Sequence, residues 1–389
     1  FSPGDTVAYV DDLVARVERN PADAEGLTLL GLAYQQRARE TGDPSFYPRS
    51  GAALRRALRL VPANDLAVTG LAALAASRHR FAASLALARR ARALNPDAAA
   101  IYGIEGDALV ELGRYGRAFA AFDRMVRLRP SLSAYARVAY ARELLGDRRG
   151  ALQAMRRAVE SGSATAENAA WTLVQLGNLH FDRGKLTPAV RAYRRALRRL
   201  PGYHHALAAM ARAQAARGHY DRAVVLYQRA LDSVPLPQYA AGLGETLVAA
   251  GRSQEANEQY ALVRVIQRLF EANGVRTELE TALFDLDHHR NVRGALARVR
   301  EAYAERRSIE AEDVLGWALY RNGRCEEALR HSERSLRLGT HDALKLFHRG
   351  MIERCLGRGQ ESRRALERAL AVNPYFSLRW APVARRLAT

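Results

Sequence analysis

Short blocks of apolar and small residues, each about 12 to 14 residues long, recur at helical spacing along the whole chain. In one such pair Leu173, Leu176 and Gly177 share a face, and Ala189, Tyr193 and Ala196 share the facing one. The pattern predicts pairs of helices rather than strands. Between the members of a pair stands a turn glycine, at Gly113, Gly146, Gly184, Gly218, Gly251, Gly323 and Gly357, with neighbouring copies mostly 33 or 34 residues apart. Five residues after each comes a small residue, Ala118, Ala151, Ala189, Ala223, Ala256, Ala328 or Ser362. A large side chain follows four further on in most copies, as in Phe122, Met155, Tyr193, Tyr227 and Tyr260. Prolines close several units, at Pro62, Pro96, Pro130, Pro201, Pro235 and Pro374.

Each feature has a mechanical reading. Small residues let two helices approach, and the aromatic fills the space beside them. The glycine supplies the turn, and the proline stops the second helix because it has no N–H to continue the ladder. A lone helical hairpin cannot bury its apolar face, so such units must stack into a solenoid.

This order of small, aromatic, alanine and proline positions resembles the tetratricopeptide repeat, a 34-residue helix-turn-helix unit, in a bacterial-type multi-repeat array. Segments such as GDALVELGRYGRAFAAFDRMVRLRP and MARAQAARGHYDRAVVLYQRALDSVP carry the likeness. Ten units start near Ala24, Asp65, Ala99, Leu132, Ala170, His204, Pro237, Arg276, Ile309 and Ala343. The expected fold is all-α: a right-handed superhelical solenoid of about ten hairpins with capping helices. Residues 1–23 hold a half-repeat cap, 24–270 repeats one to seven, 271–376 repeats eight to ten, and 377–389 a final capping helix. Three departures locate irregularities. Thr41 to Tyr47 reads as an exposed loop, and Ser161 to Asn168 adds residues and loses a proline. Unit seven lacks its closing proline and its second helix runs on, while unit eight has Arg290 in place of the turn glycine; a kink or subdomain boundary is expected there.

Composition narrows the class. A chain of 389 residues with 48% hydrophobic and 26% charged residues has the make-up of a folded globular protein, not of a disordered one. No apolar run approaches the length of a membrane-spanning helix. The formal charge of +19 would suggest an anionic partner, but all basic residues except Lys185 and Lys345 are arginine, a choice that reflects a GC-rich genome as much as phosphate binding. The chain begins at Phe1 rather than Met, and removal of an upstream segment is the expectation.

The resemblance implies that first helices line a concave groove and second helices face outward. Positions two, five, nine, twelve and thirteen of each unit then point inward. Acids dominate them, among others Asp107, Glu111, Glu143, Asp182, Glu245 and Asp287, against only Arg212, Arg321 and Arg354. Aromatics share the wall: Tyr140, Trp171, Phe181, Phe284, Trp317, Tyr320 and Phe347. Rings beside carboxylates suit an extended peptide bearing arginine or lysine. The expected function is a non-catalytic protein-interaction scaffold for a basic or mixed-charge segment. The plainer alternative for any one of these residues is a solvated or packed helix face. On the outer side, Arg191, Arg194, Arg195, Arg198 and Arg199 read as a solvated face paired with nearby acids; nucleic acid is disfavoured for want of stacking aromatics. Anionic-polymer binding there, and a subunit presenting substrate to an enzyme on another chain, remain alternatives. Some members of the family grip a terminal carboxylate with Lys, Asn and Arg on three consecutive units. Here Asn178 and Arg212 lie on neighbouring inner helices without a lysine, which disfavours that mode.

No catalytic constellation emerges, and no cofactor or metal is expected. His204 and His205, or His288 and His289, cannot chelate one ion as helical neighbours, although Asp285 with either of the latter could. Gly242 and Gly244 mimic a dinucleotide motif but no strand precedes them. Cys325 opens the second helix of unit nine and Cys355 ends the first helix of unit ten, so the sulfurs share one end of adjacent antiparallel rods. A bridge there would close a loop of about 30 residues, contributing on the order of 3 kcal/mol, and would imply an oxidising compartment. Two buried thiols are the alternative. Localisation leans toward export, periplasmic or extracellular, with the cytoplasm left open.

Overall fold

The computed structural model describes residues 3–163 and 165–389, with side chains from Thr6 onward; Phe1, and Ala164 of the 161–168 connection, lie outside the described residues. Among the described residues there are 22 helices and no strand. After α1 (Pro3–Arg19) come hairpins α2 (Ala24–Thr41) with α3 (Phe46–Leu60), α4 (Asp65–Ser77) with α5 (Phe81–Leu94), and α6 (Ala99–Glu111) with α7 (Tyr115–Leu128). Next are α8 (Leu132–Leu144) with α9 (Arg148–Glu160), α10 (Ala166–Phe181) with α11 (Leu186–Arg199), and α12 (His204–Ala216) with α13 (Tyr220–Ser233). Then follow α14 (Pro237–Ala249) with α15 (Ser253–Ala272), α16 (Glu278–Asp287) with α17 (Val292–Glu305), and α18 (Ile309–Arg321) with α19 (Cys325–Ser335). The pair α20 (Ala343–Cys355) and α21 (Gly359–Val372) precedes the closing α22 (Trp380–Ala388).

The hairpins pack as their sequence requires. A Cβ on Gly177 would stand 2.2 Å from the Tyr193 ring, so only glycine lets that ring lie flat against α10. Tyr193 is thereby fully buried, and Phe122 occupies the same place beside Gly106; each such ring contributes roughly 2–3 kcal/mol of burial. Asp23 and Asp147 accept N–H groups of Gly26 and Gly150 at 2.8 Å, capping α2 and α9 at about 1 kcal/mol each. Apolar clusters hand over from one hairpin to the next, so the core is a ribbon along the coil. Past the 20-residue α15, the ribbon crosses to α16 through Tyr260 and Phe284, whose rings meet at 5.7 Å.

The coil also touches itself. Residues 193 to 198 apart meet along a seam where the turn inside one hairpin abuts a connection one superhelical turn later. Arg276 donates its backbone N–H to the Arg78 carbonyl at 3.2 Å, and Arg307 donates to the Glu111 carbonyl at 3.0 Å. Ile309 donates to the Tyr115 hydroxyl at 2.7 Å. The seam sets one superhelical turn against the next, so the concave face looks onto another part of the chain across a hollow. None of its pairs is adjacent in sequence, and periodicity carries no signal for them.

Candidate functional site

Inner residues of α6, α8, α10 and α12 line a cavity of about 640 Å³, among them Asp107, Tyr140, Glu143, Trp171, Asn178 and Arg212. A second cavity of about 350 Å³ adjoins it and shares Tyr140, Glu143, Asp182 and Arg212. Its far wall comes from the next superhelical turn, through Glu310, Asp342 and Phe376. The seam is therefore what brings the two walls together.

Several inward residues satisfy one another. Arg137 grips the Asp107 carboxylate through Nε at 3.0 Å and Nη2 at 2.7 Å. Arg306 donates to Glu111 at 2.6 Å, so Glu111 serves the seam rather than an open wall. The Tyr193 hydroxyl and Arg212 donate to the Asn178 side-chain oxygen at 2.9 and 3.1 Å, and Arg212 lies 4.0 Å over the buried Phe181 ring. Asn178 and Arg212 are thus already paired with each other. Asp182 stands 3.9 Å from Arg212, with 48% of its side chain wetted inside the hollow.

Glu143 and Glu245 differ: neither carboxylate has a hydrogen bond or ion pair among the described residues. Burial, then the nearby Asp182, Asp342 and Glu310, pushes the Glu143 carboxyl up to about 7. Burial and Asp287 push Glu245 up to about 7 as well. Although both side chains stay partly wetted, desolvation by the facing walls of the hollow raises Asp182 and Tyr140 too, with Glu310 adding to the latter. Lys345 was not on the sequence-based wall. Burial works to lower its pKa, but Asp342 at 2.9 Å and Glu310 at 3.4 Å outweigh that and hold it charged.

The C-terminal half of the predicted wall is filled. Phe284 is buried against Tyr260 and His288. Trp317 is 1% exposed, stacks on Tyr320 at 4.9 Å, and donates to Asp287 at 2.9 Å. The indole of Trp380 donates to the same carboxylate oxygen at 3.2 Å. The chain's own C-terminal segment covers Trp317 and Asp287, while Phe284 is packed by Tyr260 and His288 and Tyr320 by Trp317. A run of two aromatics before Arg379 and Trp380 was the available sequence signal.

The candidates for chemistry are absorbed by structure. Asp285 is clasped by Arg264 at 2.7 Å and Arg298 at 2.5 Å, and His204 and His205 both bond the Tyr239 hydroxyl, at 2.9 and 2.7 Å. Among the described residues no group of three or more His, Cys, Asp or Glu is placed to hold a metal, and no helix is long and apolar enough to cross a membrane. Gly242 and Gly244 lie under the rings of Tyr227 and Tyr260. Cys325 and Cys355 are joined, with Cα atoms 6.2 Å apart. On the outer side Arg191, Arg194, Arg195, Arg198 and Arg199 are exposed, and none has an ion-pair partner among the described residues, which corrects the expected pairing with acids. Helix α11 offers no carboxylate of its own to pair with them.

No curated protein matches the chain. Among solved structures it is similar to a tetratricopeptide repeat protein from Parabacteroides merdae, at 15% identity and TM-score 0.46, over 67% of this chain and 93% of that one. It is similar to a chain of the APC/C hetero-tetramer Cut9-Hcn1 at 12% identity and TM-score 0.41, over 100% and 97%. It is also similar to YrrB, a TPR protein with an unusual peptide-binding site, at 21% identity and TM-score 0.31, over 47% and 92%. Residues 69–133 and 180–245 each match a family described as tetratricopeptide repeat. The same hairpin continues before, between and after those two segments, and the chain is a tetratricopeptide-repeat protein.

Proposed function

We propose that this protein-interaction scaffold is non-catalytic and receives, in the hollow between α6, α8, α10 and α12, a partner segment that brings positive charge and at least one aromatic ring. The observation that carries the reading is Glu143. In a chain of net charge +19 this side chain lies in the hollow with no ion pair of its own, beside Asp182 and across from Glu310 and Asp342, whose shared cation Lys345 only partly offsets the surrounding acids. A guanidinium or ammonium from a partner would supply the missing charge, and charge-assisted hydrogen bonds are the strong kind. Trp171 and Tyr140 give the same cavity faces for a cation or a ring.

Selection of peptides from a display library against the wild-type chain and a Glu143→Gln/Asp182→Asn variant tests this. Arginine-aromatic sequences should be enriched on the wild type alone. Enrichment of acidic sequences, or equal enrichment on both, would count against it.

A second reading rests on the unpaired arginines of α11, which could hold an anionic polymer on the outer face. It requires a steep loss of heparin or DNA binding with salt.

A further inference from the structure

The part of the hollow next to the open cavities is occupied by the chain itself. At the end of α21 the backbone turns inward at Asn373, which is 2% exposed, and Pro374 lies against Gly184 in the α10–α11 turn. Tyr375 packs on the cluster that holds Tyr193, and Leu378 on the cluster that holds Tyr227 and Tyr260. Phe376 forms part of the wall of the 350 Å³ cavity and meets Phe347 at 5.7 Å. Arg379 donates to the Asp287 carbonyl at 2.9 Å, and Trp380 donates to the Asp287 carboxylate between the rings of Trp317 and Phe347, at 5.7 and 5.4 Å.

A solenoid does not need this of its last segment. Sealing the apolar edge of the final hairpin is the work of α22, whose Val383, Ala384 and Leu387 join the cluster of Leu366 and Ala369. Residues 374–380 pack on that last hairpin too, through Phe347, but also run back across the bore to units five, seven, eight and nine. Among the described residues the hydrogen bonds that tie them to the groove wall both end on Asp287. The other side-chain bonds of the stretch, Tyr375 N–H to Asn373, Trp380 N–H to Ser377 and Arg385 to the Pro374 carbonyl, stay within residues 373–385. The stretch is thus held chiefly by its rings, Tyr375, Phe376 and Trp380, with Leu378, and by few polar bonds, and a competing segment that offers the same rings could replace those contacts one for one.

We propose that residues 374–380 are a built-in occupant of the groove, and that the C-terminal half of the hollow accepts in their place a partner segment of the same chemistry, an aromatic-x-x-arginine-aromatic stretch. Phe376, Arg379 and Trp380 are the three side chains such a segment would imitate. The occupancy stands on the contacts alone; the partner's chemistry rests on the groove reading above. Because Phe376 walls the open cavity, release of the strap would join the two parts of the hollow into one longer groove. The strap then acts as a competitor that any partner entering this half must displace, and apparent affinity falls by the fraction of time the strap is open.

The test uses a fluorescein-labelled peptide of residues 373–384 added to the full-length chain carrying Arg379→Ala and Trp380→Ala. The peptide should bind this variant, and bind the wild-type chain roughly tenfold or more weakly, because there the strap competes. A peptide carrying the same two alanines should bind neither. Should circular dichroism show the double variant unfolded, the Arg379→Ala single variant serves, since that side chain is only half-buried and donates one bond. Equal binding to wild type and variant, or no binding to a folded variant, overturns the proposal. The display-selected peptides separate the two readings. If they bind through Glu143 while the strap peptide fails, the strap inference falls alone; if the strap peptide binds and they do not, the open-cavity reading falls alone.

Discussion

Arg306 holds the Glu111 carboxylate at 2.6 Å although 195 residues separate them along the chain. One residue on, the Arg307 N–H reaches the Glu111 carbonyl, and Ile309 reaches the Tyr115 hydroxyl. These bonds hold one superhelical turn of the coil against the next. Replacing Tyr115 by Phe leaves the buried Ile309 N–H without a partner, which costs about 1–3 kcal/mol. Combined with Arg306→Ala it should lower the melting temperature and lengthen the molecule in small-angle scattering. An unchanged radius of gyration would mean that the seam does not hold the coil closed.

Two glycines of like conformation measure the seam from the other side. Gly113 and Gly218 both turn their hairpins with positive φ, at 71° and 81°. Alanine at either costs about 1–2 kcal/mol from the left-handed backbone. A Cβ on Gly113 also stands 2.4 Å from the Arg307 carbonyl oxygen, whereas one on Gly218 meets nothing within 4 Å. Thermal unfolding should therefore show Gly113→Ala as clearly the more damaging of the two, and equal losses would contradict contact across the seam.

Trp171 and Trp317 occupy inner-wall positions in the sequence, yet the structure gives them different work. Trp171 is half-buried and lines the 640 Å³ cavity, while Trp317 is sealed beneath Trp380. Trp317→Ala should destabilise the C-terminal repeats by about 3–5 kcal/mol. Trp171→Ala, at a side chain that packs on two clusters but faces the cavity, should lower melting less than Trp317→Ala does and should weaken binding of an arginine-aromatic peptide. Calorimetry on the two variants, with peptide titration of the second, checks both statements.

The carboxyl of Glu143 is raised in the folded chain from an ordinary 4.5 to about 7, with burial the largest cause. Between those values the folded state keeps a proton that the unfolded state has released. The contribution of this group to stability is thus complete below about pH 4.5 and is lost as pH rises through 7. Glu143→Gln should gain melting temperature over wild type at pH 8 and little or nothing at pH 5. A gain that is the same at both values would place Glu143 in water rather than in the hollow.

The hairpins were legible because their determinants are local. Gly177 and Tyr193 lie 16 positions apart and repeat, so period and residue size are enough to pair their helices. The bridge between Cys325 and Cys355 follows from the same local register. What stayed hidden depends on how far each unit rotates against the next, a quantity that accumulates over six units and leaves no motif. Glu111 therefore read as a ligand residue and is a seam residue. Lys345 read as one of two stray lysines and is a buried cation between Asp342 and Glu310. Trp317 read as an open ring because nothing in a local pattern says that residues 374–380 will come back to cover it.

The most direct measurement is the affinity of one display-selected arginine-aromatic peptide for three full-length chains: wild type, Glu143→Gln/Asp182→Asn, and Arg194→Glu/Arg198→Glu. Charge-assisted contacts of about 1.5–3 kcal/mol each predict that the inner variant loses roughly tenfold or more, while the outer variant binds like wild type. Unchanged binding by the inner variant, with the outer variant altered, would contradict a docking surface inside the hollow.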